Sequence, residues 1–117
     1  LLFIMTIQYK NAGINLSGTG TVSVLTAPIG ARCLIKQIQV DNSSASPVNL
    51  SVQVTDTSAS ATFAISRKAV AANSVENIID KTLILEEDDI LKMTAGTGGE
   101  IQGIISYAQI DRSQENG

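Results

Sequence analysis

Between Pro47 and Thr55, Val48, Leu50, Val52 and Val54 alternate with Asn49, Ser51, Gln53 and Thr55. A period of two puts one set on each side of an extended chain, so this segment reads as a β-strand with one face in a core and the other in water or at an interface. Short apolar segments separated by turn residues recur along the chain: Thr21 to Leu25, Cys33 to Val40, Ala61 to Ser66, Val75 to Ile79, Thr82 to Leu85, Ile90 to Thr94 and Ile101 to Ile110. That makes about eight strands. The pattern predicts an all-β chain folded as a single antiparallel β-sandwich, jelly-roll or Ig-like, in preference to a helical or βαβ domain. Arg67 to Asn77, with Ala69, Ala71 and Ala72, offers a weak helical alternative that its β-branched neighbours oppose.

The run Asp41 to Pro47 is rich in groups that bond their own backbone, and it reads as the turn of a hairpin joining the Cys33 and Pro47 strands. In the last strand Ile101, Gly103, Ile105 and Tyr107 share one face and Gln102, Ile104, Ser106 and Ala108 the other. Both faces carry apolar residues, so this strand is expected to lie centrally in its sheet. The expected core comprises Ile38, Val40, Val48, Leu50, Val52, Val54, Phe63, Leu83, Leu85, Leu91, Ile105 and Tyr107. Residues 1–10 read as an N-terminal arm or edge strand, 11–110 as the sandwich, and 111–117, which carry no apolar residue, as an exposed polar tail.

The apolar opening Leu1, Leu2, Phe3, Ile4 and Met5 lacks a basic leader and gives way to Thr6, Gln8, Tyr9, Lys10 and Asn11. It is too short for a membrane span, and no membrane partner is expected. It reads either as an edge strand covering the core or as an arm packed on a neighbouring subunit.

Composition narrows the chemistry. The 117 residues suit one domain able to bury a core without staples, and 32 of them are Ile, Leu or Val, against only four aromatic residues. With no His, no Trp and the single cysteine Cys33, the chain lacks the residues of Ser-His-Asp or Cys-His catalysis, of His-based metal sites and of an intramolecular disulfide. Eight basic and eleven acidic residues give a net charge of −3, and only Arg67 and Lys68 adjoin, so no phosphate-tracking groove and no nucleic-acid partner are expected.

The remaining motifs are weak as sites. Glu86, Glu87, Asp88 and Asp89 lack the spacing of a calcium loop and read as a solvated turn between two strands. A pair of carboxylates suffices for sugar cleavage, but Phe3, Tyr9, Phe63 and Tyr107 are too few rings to line the usual cleft. Gly18-Thr19-Gly20 and Gly96-Thr97-Gly98-Gly99 precede no Lys-Ser or Lys-Thr pair and read as turns, not phosphate cradles. Cys33, beside Leu34 at the start of an apolar strand, reads as an inert buried thiol. No enzyme activity, cofactor, metal or small-molecule substrate is expected.

Several segments taken together are similar to small all-β virion proteins of tailed bacteriophages, of the marine or cyanobacterial phage type. They are Thr26 to Arg32 leading into Leu34 to Asn42, Val52 to Ser60, Leu83 to Lys92, and Ile104 to Tyr107. The resemblance spans roughly residues 20 to 110 and rests on strand-and-turn patterns, not on site signatures. It implies a non-enzymatic structural protein of the virion, first a capsid decoration or cement protein exposed on the mature particle and bound to the major capsid protein. The alternatives are a neck, tail or fibre component, or a glycan-binding adhesin module. Homo-oligomers follow from that reading, a trimer first, with Leu1, Leu2, Phe3 and Ile4 as the expected assembly interface.

Overall fold

The computed structural model describes residues 5–112, and the side chains of residues 6–111. Among them there are nine strands and no helix: β1 (Met5–Leu16), β2 (Val22–Thr26), β3 (Ala31–Asn42), β4 (Val48–Asp56), β5 (Ala61–Val70), β6 (Ser74–Asn77), β7 (Leu83–Leu85), β8 (Ile90–Ala95) and β9 (Ile101–Arg112). Two antiparallel sheets face each other. One has the order β1-β9-β3-β6, with β7 also on β3, and the other has the order β2-β8-β4-β5.

The pairings follow one rule. β4 pairs with β5, β3 with β6 and β7, β2 with β8, and β1 with β9, so that partner numbers add up to between 115 and 118, from Met5 with Arg112 to Asp56 with Ala61. The chain is thus a single long hairpin folded back at residues 57–60, then rolled so that β9 also pairs with β3 and β8 with β4. This is the jelly-roll connectivity, which decides between the two expected sandwich types. The ninth strand arises because the stretch facing β3 is split into β6 and β7 by residues 78–82. The Arg67 to Asn77 stretch belongs to β5 and β6, not to a helix.

At each place where the rolled hairpin changes sheet, both of its arms cross together. Residues 43–47 and 71–73 form one such corner, where the buried Asn42 Nδ2 donates to the carbonyls of Ser46, Val70 and Ala71 at 3.0, 3.0 and 3.2 Å, while its Oδ1 accepts from the Ser44 N–H at 2.9 Å. The hairpin expected between β3 and β4 is therefore absent: the two strands lie in different sheets. A run of turn-forming residues closes a tight hairpin or turns a corner equally well, and Asn42 stitches this one as a corner.

A second corner joins residues 17–21 to residues 96–100. The two glycine-rich turns meet there: a Cβ on Gly98 would lie 2.9 Å from both Gly18 Cα and the Ser17 carbonyl oxygen, and Gly99 N–H donates to the Leu16 carbonyl at 2.9 Å. Within β9, a Cβ on Gly103 would lie 2.2 Å from the Gln39 carbonyl oxygen, so only glycine lets β9 approach β3 at this point.

The core lies between the sheets, with Leu16, Ile35, Ile38, Val40, Val52, Val70, Leu85, Leu91, Met93, Ile101 and Ile105 fully enclosed. β9, flanked by β1 and β3, is central as expected. Val54 and Leu83 pack on the core half-buried. Phe63 departs from expectation. It sits opposite Val54 on the inward row but is 54% exposed, because β5 is the outermost strand and the strands across from it, β6 and β7, are short and interrupted. β1 was not foreseen at its full length; it runs unbroken through residue 10 and contributes Ile14 and Leu16 to the core. β9 likewise continues through Asp111 and Arg112 into the stretch read as a tail.

Val52→Asp is expected to abolish the cooperative melt, since a charge would replace a fully enclosed methyl pair. Asn42→Ala, which removes the donor to the buried Val70 carbonyl, is expected to fold but to lose about 1–3 kcal/mol in chemical denaturation.

Candidate assembly surface

The outward faces of the two sheets differ in chemistry. On the four-stranded sheet the outward side chains bond one another: Thr21 with Thr94 at 2.8 Å, Gln53 with Ser51 at 2.6 Å and Thr94 at 3.4 Å, and Thr55 with Thr62 at 2.7 Å. A shallow open groove of about 560 Å³ crosses this face, lined by Asn49, Ser51, Arg67, Ala69, Thr94 and Gly96 among others. Its lining joins the hydroxyls and amide of Ser51, Thr94 and Asn49 to the basic Arg67 and Lys68 and to the apolar Leu50 and Ala95.

The five-stranded sheet presents the opposite character at one end. Register places Tyr9, Ala108, Leu34 and Ile84 in a single cross-strand row over β1, β9, β3 and β7, with Ile7, Ile110 and the basic Arg32 in the next row. Tyr9 is 85% exposed, and Ile7 and Ile84 are each 56% exposed. Toward the other end of the same face Ile104 and Val75 are also exposed. On β1 the inward positions Thr6, Gln8 and Lys10 are polar and exposed as well, so the first half of this strand is covered on neither side. Apolar side chains clustered in register on an outer sheet face mark a surface suited to association.

The expected interface residues Leu1, Leu2, Phe3 and Ile4 lie outside the described residues. In the sequence they immediately precede β1. Ile7 and Tyr9 were missed as surface residues by sequence reasoning, although the alternation Thr6-Ile7-Gln8-Tyr9-Lys10 carried the signal.

The acidic run forms the turn expected between β7 and β8, but Asp89 is buried and does structural work. Its Oδ1 accepts from the Thr57 N–H at 3.2 Å and its Oδ2 from the Glu86 N–H at 3.0 Å, while Ala27 and the Asp88–Asp89 backbone exchange hydrogen bonds. One carboxylate thus ties the tip of the long hairpin to the corner between β7 and β8. Among the described residues no three His, Cys, Asp or Glu side chains converge as a metal site would require.

Cys33 is free and buried, and burial pushes its thiol above the ordinary value despite the opposing pull of Lys10, the reverse of what a nucleophile needs. Burial likewise raises the Tyr107 phenol. At the open side of the sandwich Lys68 Nζ meets Glu76 at 2.9 Å. The Ala71 N–H and then Lys68 hold the Glu76 carboxyl below the usual carboxylate range, so this link between the sheets is present at neutral pH and weakens only as Glu76 gains a proton in acid.

No protein-family model matches the chain, and no curated protein matches its sequence. Solved structures match its fold. One is a pilus-forming endospore appendage protein of Bacillus, from a family of disulfide-linked pili, at 10% identity and TM-score 0.55, covering 97% of this chain and 92% of the other. A second is the capsid structure of Helicobacter pylori bacteriophage KHP30, at 9% identity and TM-score 0.55, covering 97% and 100%. A third is the Drosophila NLP core, described for pentamer formation and histone binding, at 16% identity and TM-score 0.55, covering 86% and 97%. At these identities the likeness is one of fold, and the structural neighbours include a phage capsid protein and a pilus protein.

Calcium is expected to leave the melting temperature unchanged, whereas Asp89→Asn, which puts an amide hydrogen against one of two backbone donors, is expected to cost about 1–3 kcal/mol with or without calcium. A saturable rise in melting temperature at about millimolar calcium, lost when Asp88 and Asp89 are both replaced by Asn, would overturn this assignment.

Proposed function

We propose that the chain is a non-enzymatic structural protein of a tailed-phage virion, of the marine or cyanobacterial type its sequence resembles, acting as a capsid decoration or cement protein. The observation that carries this reading is the contrast between its two outer faces: an apolar row of Tyr9, Leu34 and Ile84 on one sheet and a hydrogen-bonded polar lattice on the other. A protein held between a shell and the medium needs both, one face to attach and one to remain wetted. The jelly roll is a connectivity used for capsid and lectin domains, and the KHP30 likeness supports the first of these.

The partners under this reading are further copies of the chain and the major capsid protein, with Leu1 to Ile4 packed against a neighbour. The quiet chemistry agrees: a chain without His, whose one thiol is enclosed, has little to offer a substrate. A second reading, a glycan-binding module on the host-attachment apparatus, is favoured by one observation, the groove that brings Asn49, Ser51, Arg67, Lys68 and Thr94 together.

Densitometry of purified virions distinguishes the two. Decoration requires a copy number that tracks the capsid lattice; a few copies per particle, together with binding to cells or polysaccharide, would overturn it in favour of attachment. Deleting residues 1–4 is expected to leave the cooperative melt intact while weakening binding to the particle.

A further inference from the structure

Natural sheets blunt their edges with short strands, bulges, proline or charge, because a long regular edge offers unpaired backbone groups to any passing strand. Most of this molecule's edges are blunted in that way. β6 and β7 have four and three residues, β2 has five and a register shift, and β5 pairs through a bulge and carries Arg67 and Lys68. β1 is the exception. It is twelve residues long, pairs with β9 without a register shift, has no proline and carries only Lys10 as charge, and no strand lies on its far side among the described residues.

We infer that β1 is the site at which a second copy of this chain adds its own β1, antiparallel and about a two-fold axis through Gln8, joining two five-stranded sheets into one continuous sheet. This deepens the self-association proposed above and rests on it.

The strand is self-complementary about that residue. Directly opposed residues in an antiparallel pair share a face, and Thr6-Ile7-Gln8-Tyr9-Lys10 reads polar, apolar, polar, apolar, polar in both directions. Centring on Gln8 sets Ile7 against the partner's Tyr9 and Tyr9 against the partner's Ile7, so two exposed apolar side chains on each copy become an aromatic and β-branched cross-strand pair. On the other face Lys10 meets the partner's Thr6. An axis at Lys10 would oppose two ammonium groups, and one at Tyr9 would leave Ile7 opposite Asn11.

The half of β1 whose side chains are all exposed is the half beside which such a partner would lie. The contact has two-fold symmetry, in place of the three-fold association expected from a capsid lattice.

The test uses the full chain in solution. Sedimentation is expected to show a dimer. Gln8→Cys, with opposed Cα atoms about 4.5–5.5 Å apart at the axis, is expected to form a disulfide-linked dimer under mild oxidation, reversed by thiol, while Asn49→Cys on the polar sheet does not. Tyr9→Lys is expected to weaken the dimer by roughly tenfold or more without changing the cooperative melt, since Tyr9 touches little of its own domain. Ile84→Lys, on the same face but on the opposite edge, is expected to leave the dimer intact. A chain that stays monomeric up to about 1 mM overturns the inference. So does a dimer broken by Ile84→Lys and not trapped by Gln8→Cys, which would mean that the sheet faces, not the edges, meet. Neither result bears on copy number in the particle, which tests the virion reading separately.

Discussion

Everything in this molecule depends on one long antiparallel pairing folded back at residues 57–60. Met5 lies opposite Arg112 and Leu16 opposite Ile101, outside every strand nested between them in the chain. Such contacts span most of the chain, so the entropy of closing large loops falls on the outer strands and must be met by what they bury. Each Leu or Ile enclosed between the sheets returns about 1.5–3 kcal/mol, and β1 brings Ile14 and Leu16 to that account. A flat hairpin of this length would leave both of its faces in water. Rolling it places the two apolar faces against each other.

The roll is held where both arms bend, and polar groups do the holding. Asn42 satisfies three carbonyls at one corner, Asp89 accepts from two backbone N–H groups near another, and Gly18 and Gly98 pass at backbone contact at the third. Backbone groups leave the ladder at each bend, and a buried bend needs them paired again. The corners therefore fix which strands face which, while the apolar residues supply most of the driving force without specifying the connection.

From the same geometry come two unlike surfaces and one unprotected edge. Alternation gives each strand an outward row, and the composition of that row sets what the sheet can meet: Thr, Ser and Gln on the four-stranded sheet, Tyr9, Leu34 and Ile84 on the five-stranded sheet. A fold shared with a pilus protein and a phage capsid protein fits many tasks, and these surfaces, not the connectivity, carry the case for assembly.

The sequence alone determined the strands whose alternation is strong. Val48 to Thr55 reads correctly because every second residue is aliphatic, and Ile101 to Ile110 reads as central because both of its faces carry apolar residues. The absence of His and the isolation of Cys33 likewise limited the chemistry before any contact was known. β1 was only partly legible, since Lys10, Asn11 and Gly13 dilute its pattern and its exposed half gains no core signal. Tertiary structure alone decided that residues 43–47 turn a corner instead of a hairpin, that Phe63 hangs over an uncovered edge, and that the acidic run contains a buried carboxylate. The physical reason is common to all three. Periodicity states which side of a strand a residue occupies, but what covers that side depends on strands distant in the chain, and nothing local encodes their arrival.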